Sequence, residues 1–185
     1  MAFSIIEQNL QNSFLKYLKE KYLIELKNTF QVPKIKKIIV HRSLVKHYSD
    51  KVKFLTSINE LKLITGQLPT LTLSKKSSNK FKQKIGTPVG LKVTLRKNKM
   101  YYFLEKLILF VLPRELHFQG CSKKSFDKQG NFNLGIKTQS SFIELDSYLI
   151  SFKNGYNINI VFDTCKINKD YNFNQLLLEF LGLPF

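Results

Sequence analysis

Residues 70–96 read TLTLSKKSSNKFKQKIGTPVGLKVTLR, and this stretch decides the fold. Apolar and polar residues alternate at both of its ends, over residues 70–74 and 90–96. Alternation with a period of two predicts β-strands that have one buried and one exposed face. Between them, residues 75–90 hold five lysines together with Gly86, Pro88 and Gly90, which predicts a long basic loop. The stretch therefore predicts two strands joined by a protruding loop.

The flanking segments predict further strands and amphipathic helices. Strand patterns occur at residues 35–40, 132–137 and 157–164. Helical periodicity occurs at residues 1–30, 50–65 and 98–112, and in the segment before Leu181. In the second of these helices, the residues predicted to face inward are Val52, Leu55, Ile58 and Leu61. Helices can cover only the apolar face of such a sheet, so we expect its polar face to stay open. The length predicts a single domain over residues 1–185.

The charge of the chain is strongly positive. It carries 30 Lys and Arg against 13 Asp and Glu, a formal net charge of +17. No acidic residue lies between Glu60 and Glu105, where ten cations occur. This excess favours a polyanionic partner, which leaves nucleic acid, an anionic membrane and an acidic protein as candidates. A membrane binder needs a basic amphipathic helix, whereas these cations cluster in a loop and strands, so we expect no membrane partner.

Sequence motifs of several other protein classes are missing. Cys121 and Cys165 form no Cys-x-x-Cys pair, which argues against a disulfide framework or a zinc finger. The three histidines lie in no metal-ligand or catalytic pattern, and no glycine-rich phosphate loop occurs. The longest apolar run, residues 107–112, is far shorter than the roughly 20 residues of a membrane-spanning helix. We therefore expect no enzyme activity, no cofactor and no metal.

A series of motifs in fixed order runs from residue 61 towards the end of the chain. The first are Leu61-x-x-Ile64-Thr65-Gly66-Gln67-x-Pro69, Ser74-Lys75-Lys76-Ser77 and Gly86-x-Pro88-x-Gly90. They are followed by Lys92-Val93-Thr94-Leu95-Arg96, Leu112-Pro113-Arg114, Phe118-x-Gly120 and Ser125-Phe126-Asp127-x-x-Gly130-Asn131-Phe132. With these motifs the chain resembles, over about residues 30–185, the family of the bacterial-type large ribosomal subunit protein number five.

The resemblance implies an α+β fold, with helices behind an antiparallel sheet, in the central protuberance of the large ribosomal subunit. It implies that the open face binds 5S rRNA, or its equivalent, together with large-subunit rRNA. The long basic loop is expected to reach P-site tRNA. The opposite side of the domain is expected to contact a small-subunit head protein across the intersubunit bridge. Neighbouring central-protuberance proteins are the remaining implied partners.

Two sets of contact residues follow from the strand pattern and the resemblance. Lys92, Thr94 and Arg96 share one strand face, where they can contact an RNA backbone. The expected rRNA contacts are Lys36, Arg42, Thr70, Thr72, Lys92, Thr94, Arg96, Arg114 and Asn133. The expected tRNA-contacting loop residues are Lys75, Lys76, Ser77, Lys80, Phe81, Lys82, Lys84, Gly86 and Gly90. Phe81 is expected either to anchor the loop or to stack on an exposed base.

Two loops depart from the family pattern. Residues 41–44, His-Arg-Ser-Leu, replace an Asn-Met-Gly-rich turn, and residues 117–120, His-Phe-Gln-Gly, replace an Asp-Phe-Arg-Gly stretch. We predict that the protein is located in the mitochondrial matrix, in the mitoribosome. Three observations favour this location: the divergence of these two loops, a composition typical of AT-rich genomes, and an N-terminal helix unlike a presequence. A plastid or the bacterial cytoplasm is the alternative location. A free-standing tRNA- or mRNA-binding protein outside the ribosome is the alternative function.

Overall fold

The structure is a computed structural model that describes residues 2–22, 32–44, 50–77, 84–115, 118–145, 154–163 and 171–185. Its strands are β1 (Lys34–Ser43), β2 (Thr70–Leu73), β3 (Pro88–Leu95), β4 (Phe132–Ile136) and β5 (Tyr156–Asp163). Its α-helices are α1 (Ala2–Tyr22), α2 (Lys51–Thr65), α3 (Lys97–Lys106), α4 (Leu112–Arg114) and α5 (Tyr171–Phe180). A π-helical turn, Leu107–Val111, joins α3 to α4, and short 3-10 turns occupy Lys123–Ser125 and Gln139–Ser141.

The described strands form one sheet in the order β2-β3-β1-β5-β4. Every neighbouring pair is antiparallel, and β1 lies at the centre between β3 and β5. This arrangement confirms the α+β fold with an antiparallel sheet. The central strand is longer than predicted, because pairing with both neighbours extends it to His41 and beyond. The assignment of residues 1–185 to a single domain stays a prediction.

The core lies between one face of the sheet and the helices. Ile38 and Val40 of β1 and Leu95 of β3 are completely buried there. The helical side chains packed in the same cluster include Leu61, Ile64, Met100, Phe103, Leu104 and Leu107. Each such apolar side chain contributes roughly 1.5–3 kcal/mol when it is fully buried. Strands β1, β3, β4 and β5 therefore bury alternate residues, as the sequence pattern predicts. The buried face predicted for residues 70–74 is wrong, since all four residues of the edge strand β2 are exposed, including Leu71 and Leu73.

Helix α1 packs on α5 through aromatic side chains. The Phe14 and Phe180 rings lie 5.5 Å apart between centroids, and the Tyr17 and Phe180 rings lie 5.2 Å apart. Phe14 is completely buried by this packing. The N-terminal helix predicted for residues 1–30 is present as Ala2–Tyr22, and residues 23–30 lie outside the described part of the chain.

Helix α2 has the predicted ends but a different buried face. Asp50 precedes the helix, and Gly66 ends it in a left-handed conformation with φ 62°, its N–H donating to the Lys62 carbonyl at 2.8 Å. The inward positions predicted for Val52 and Leu55 are wrong, since these side chains are 70% and 58% exposed. The buried face instead includes Glu60, whose carboxylate has a partner inside the core.

The basic loop is shorter than residues 75–90. Strand β2 ends at Leu73 and β3 begins at Pro88, so the connection spans residues 74–87. Gly90 was expected in this loop, but it lies inside β3, where it pairs with Ser43 and Thr72. The reason is that β3 must extend back to Pro88 to pair along the whole of β2.

No described helix has the length and apolarity needed to cross a bilayer. Within the same ranges, no group of three or more His, Cys, Asp or Glu side chains is arranged to hold a metal ion. Cys121 is a buried free cysteine, and burial raises the pKa of its thiol to about 11.

Candidate nucleic-acid interface

The face of the sheet that points away from the core forms a continuous polar surface, which we call the open sheet face. Its side chains come from all five strands: Ile39, His41, Thr70, Thr72, Lys92, Thr94, Asn133, Asn157 and Asn159. They are exposed or half-buried, whereas their neighbours along β1, β3, β4 and β5 are mostly buried. Among the described residues, none of the helices covers this face.

The register of the strands sorts these side chains into two main rows. One row runs across the sheet from Thr70 through Lys92, His41 and Asn157. The other row runs from Thr94 through Ile39 and Asn159 to Asn133. Paired residues in an antiparallel sheet point to the same side and lie roughly 4.5–5.5 Å apart. The predicted contacts Thr70, Thr72, Lys92, Thr94 and Asn133 therefore share one surface.

The cations of this surface lie on and next to β3. The Lys92 and Arg96 side chains are exposed, and Thr70 Oγ1 donates a hydrogen bond of 2.9 Å to the Lys92 carbonyl oxygen. Arg96 follows β3 with extended backbone angles, φ −141° and ψ 160°, so the alternation of the strand continues to it. Flexible ammonium and guanidinium groups on a polar sheet can bind phosphates without reading sequence.

The centre of the open sheet face was missed by the sequence reasoning. His41 lies between Lys92 on β3 and Asn157 on β5. One row away, the Asn159 side-chain amide donates a hydrogen bond to the side-chain oxygen of Asn133. The imidazole and the amides add hydrogen-bond donors and acceptors to this surface. Residues 38–40 of β1 are all apolar, so the sequence shows no alternation before His41. Only the pairing of β1 with β3 and β5 shows that His41 points outward.

A concavity of about 470 Å³ opens at this centre. Its lining includes Ile39, His41, Thr72, Asn157 and Asn159 together with Gly90 and Lys92. A side chain at Gly90 would narrow it, because a Cβ there would lie 2.9 Å from both the Arg42 carbonyl oxygen and Thr72 Oγ1. Contacts that short force neighbouring atoms to move, so the close approach of β1, β2 and β3 requires glycine.

Arg42 does not lie on the open sheet face, and the expectation that it contacts rRNA is wrong. Its side chain is completely buried on the core side of β1, where it forms an ion pair with Glu60. Its guanidinium also donates to Tyr156 Oη at 3.0 Å and to Gln139 Oε1 at 2.7 Å. The physical reason is alternation, since Arg42 follows the outward-pointing His41 and must point inward. Burial raises the pKa of Tyr156 well above its ordinary value.

Lys36 and Arg114 lie outside the two rows of side chains. Lys36 is exposed beside an irregularity of β1, and its Nζ lies 3.7 Å from Asp163 Oδ2. Arg114 is exposed at the end of α4, on a helix rather than on a strand. Neither cation therefore belongs to the two rows of side chains that cross the open sheet face.

The base of the basic loop is ordered by backbone hydrogen bonds. The Ser74 N–H donates to the Thr87 carbonyl at 2.9 Å, and the Gly86 N–H donates to the Ser74 carbonyl at 3.0 Å. Gly86 has φ 83°, a conformation that side chains disfavour. Lys75, Lys76, Ser77 and Lys84 are exposed. Lys80, Phe81 and Lys82 lie outside the described residues.

Two family models match consecutive parts of the chain. Residues 28–84 match the model described as "Ribosomal protein L5", and residues 88–185 match the model of the C-terminus of the same ribosomal protein family. These two parts contribute neighbouring strands to one sheet, since β1 pairs with both β3 and β5.

Relatives resemble the chain over most of its length. "Large ribosomal subunit protein uL5c" of Cyanidium caldarium is 45% identical over 186 residues, covering 100% of this chain and 94% of that protein. "Large ribosomal subunit protein uL5" of Ehrlichia ruminantium (strain Welgevonden) is 48% identical, covering 85% of this chain and 87% of its own length. The corresponding uL5c of Porphyra purpurea is 41% identical, with 97% and 96% covered. The chain therefore belongs to the ribosomal protein L5 family, a family of structural, non-enzymatic constituents of the large ribosomal subunit.

Proposed function

We propose that this protein binds 5S rRNA, or its equivalent, and adjoining large-subunit rRNA in the central protuberance, through the open sheet face. The observation that carries the proposal is the placement of Lys92, Arg96 and the polar rows on the one face that no described helix covers. A ribosomal protein with this charge distribution needs a polyanion against that face. The function is scaffolding, and no bond is made or broken.

Binding is expected to be dominated by phosphate contacts. Lys92 and Arg96 would replace counterions on the RNA backbone, while Thr70, Thr72 and Thr94 would hydrogen-bond to phosphate or sugar oxygens. The acid-free stretch between Glu60 and Glu105 means that no carboxylate from this part of the chain competes for those cations. The affinity should therefore fall steeply with salt.

The basic loop is proposed to contact P-site tRNA. Its described residues Lys75, Lys76 and Lys84 are exposed at the end of the β2–β3 hairpin, at one edge of the sheet. The hairpin base is fixed by the hydrogen bonds between Ser74, Gly86 and Thr87. A fixed base with cations beyond it is suited to reach a second RNA while the sheet holds the first.

Protein partners are proposed on the helical side of the fold, including a small-subunit head protein across the intersubunit bridge and neighbouring central-protuberance proteins. Tyr102, Leu109 and Phe110 support this assignment, because these large apolar side chains are exposed on α3 and the π-helical turn. Their helix packs its other side against the sheet, so the patch faces away from the proposed RNA surface.

The mitochondrial matrix, in the mitoribosome, is the proposed location, and a plastid or the bacterial cytoplasm is the alternative. The mitochondrial proposal rests on the divergence of two loops from the family pattern and on an amino-acid composition typical of AT-rich genomes. The named relatives come from bacteria and algal plastids. Identifying the DNA molecule that encodes the chain tests this proposal. A gene in a plastid or bacterial chromosome would refute the mitochondrial location.

A salt titration with a bacterial 5S rRNA transcript tests the RNA-binding surface. Lys92→Ala with Arg96→Ala should weaken binding and lower the magnitude of the log–log salt slope by about 1.4–1.8, which corresponds to two lost phosphate contacts. The matched control is Lys16→Ala with Lys53→Ala, which removes the same charge from α1 and α2. Equal slopes for the two double variants would refute the assignment. Failure of the wild-type protein to cosediment with large subunits in a sucrose gradient would favour a free-standing RNA binder.

A further inference from the structure

The edge strand β2 has an apolar side that the described helices leave exposed. Leu71 lies opposite the buried Leu91 in the register, so its side chain points to the core side of the sheet. Leu71 and Leu73 are nevertheless 48% and 57% exposed. Edge strands are usually protected from other chains by charged residues or proline, and β2 contains neither. This edge of the sheet is therefore open to pairing with another strand.

A groove next to β2 extends this apolar side towards α2. It has a volume of about 340 Å³ and is lined by Lys51, Phe54 and Leu55 of α2 and by Pro88 of β3. We call it the edge groove. Pro88 pairs with Leu73, so the edge groove adjoins the exposed leucines of β2. Exposed apolar side chains from a helix and from an edge strand therefore meet at one place, as is typical of protein-binding surfaces.

The charges around the edge groove are positive. One lysine of α2 lines it, and Lys75 and Lys76 are exposed directly after β2. The acidic residues of the same stretch, Asp50 and Glu60, already have cations as partners, the first at the surface and the second in the core. The edge groove is therefore complementary to a ligand that combines apolar groups with negative charge.

A protein strand fits these features better than an RNA backbone does. Phosphates would match the lysines, but they would leave Leu55, Leu71 and Leu73 without apolar contacts. An extended segment places alternate side chains on opposite faces, so one face can be apolar while the other carries carboxylates. Its backbone can also form hydrogen bonds with the free edge of β2.

We propose that β2 and the edge groove bind an extended segment of a partner protein, with alternating apolar and acidic residues, as an additional strand of the sheet. Hydrogen bonds with β2 supply affinity, and the groove accepts an apolar side chain of the segment. The flanking lysines attract its carboxylates. This inference does not depend on RNA binding by the open sheet face, and the surface differs from the apolar patch on α3 and the π-helical turn.

The test measures binding of a labelled synthetic peptide of alternating valine and glutamate to the full-length protein by fluorescence anisotropy. One matched peptide replaces every glutamate by glutamine, and a second carries a central proline, which interrupts strand pairing. The valine–glutamate peptide should bind at least about ten-fold more tightly than either matched peptide. Hydrogen exchange of the segment that contains β2 should become slower when the peptide is bound.

Two variants test the apolar contacts. Leu55→Ser and Leu73→Ser should each weaken peptide binding by about five-fold, because each removes apolar area that the peptide covers. The matched control is Leu109→Ser, since Leu109 is 58% exposed, as Leu55 is, but lies on the π-helical turn. It should keep the wild-type affinity. Circular dichroism verifies folding, and the two variants lie on different elements, so each tests the proposal without the other.

The remaining outcomes would refute the proposal. If the peptide fails to bind at about 1 mM protein, or if the proline peptide binds equally well, β2 does not accept a strand. If both leucine variants keep the wild-type affinity, charge alone holds the peptide. If a 5S rRNA transcript displaces the peptide, RNA rather than protein occupies the edge groove, whereas simultaneous binding of both supports the proposal. The salt titration of the transcript tests the open sheet face separately, so either proposal can fail without the other.

Discussion

The buried ion pair between Arg42 and Glu60 makes the sharpest prediction about stability. The Arg42 side chain is 0% exposed and that of Glu60 is 9% exposed. Arg42→Met keeps most of the side-chain length but leaves the Glu60 carboxylate without its cation. Breaking a buried pair in this way costs about 3–5 kcal/mol. Because each kcal/mol lowers the melting temperature of a chain of this size by about 2–4 °C, we expect a fall of roughly 6–20 °C.

A second substitution tests the cause. Glu60→Met added to Arg42→Met removes the uncompensated carboxylate and should restore much of the lost stability, since apolar replacements of whole buried pairs are often neutral. Recovery should be incomplete, because Gln139 Oε1 and Tyr156 Oη still lose the guanidinium donor. Thermal and urea denaturation followed by circular dichroism measure Arg42→Met, Glu60→Met and the double variant, and comparison with the wild-type protein gives the coupling free energy of the pair.

The control is Arg96→Met, which removes an exposed arginine. It should change the free energy of unfolding by less than about 0.5 kcal/mol while weakening RNA binding. Arg42→Met should do the reverse, with reduced stability and an unchanged salt slope for RNA binding by the folded fraction. The reasoning is refuted if Arg42→Met is as stable as the wild-type protein and lowers the salt slope, because Arg42 would then be a phosphate contact.

Three further substitutions or modifications test separate features. Gly90→Ala should lower the free energy of unfolding in urea by about 1–3 kcal/mol, because its Cβ would lie 2.9 Å from two oxygens; an unchanged midpoint would contradict the close approach. Desolvation raises the pKa of Asp127, but hydrogen bonds with Asn131, Gln129 and Gly130 outweigh it and leave the pKa below its ordinary value of 3.8. The wild-type protein should therefore be more stable than Asp127→Asn at neutral pH, and this difference in the free energy of unfolding should disappear as the pH falls below 3.8 through the folded-state pKa. A difference that grows in acid would contradict the lowered pKa. In a Cys165→Ser variant, the Cys121 thiol should not react with iodoacetamide at pH 8 until urea unfolds the chain, because burial raises its pKa to about 11. Rapid labelling of the folded protein would contradict this prediction.

The parts of the fold that could be predicted are those with a clean local signal. Strand β3 alternates strictly from Leu91 to Leu95, and its buried and more exposed residues follow that pattern. Gly66 ends α2 in the left-handed conformation that its position after an apolar helix suggests. These features depend on neighbouring residues alone, so local periodicity and backbone preference are sufficient to find them.

The features that could not be predicted depend on residues distant in sequence. Arg42 is tolerable in the core only because Glu60, Gln139 and Tyr156 surround it, and these lie 18, 97 and 114 residues away. A basic residue in a strand of a basic protein is otherwise expected to face solvent. The sequence pattern alone therefore assigned it to the RNA-binding surface.

The polar centre of the open sheet face could not be predicted from the sequence for a related reason. Ile39 interrupts the alternation of β1 because it is an apolar residue on the outward face. His41 becomes a neighbour of Lys92 and Asn157 only when β1 pairs with β3 and β5. Register between distant strands, rather than composition, assembles this part of the surface.

A cryo-electron microscopy map of the large subunit that contains this protein tests the central claim most directly. It should show RNA density against the outward side of β3, β1 and β5, with phosphates beside Lys92 and Arg96. A map in which that side of the sheet faces bulk solvent, or is covered by protein, would contradict the claim.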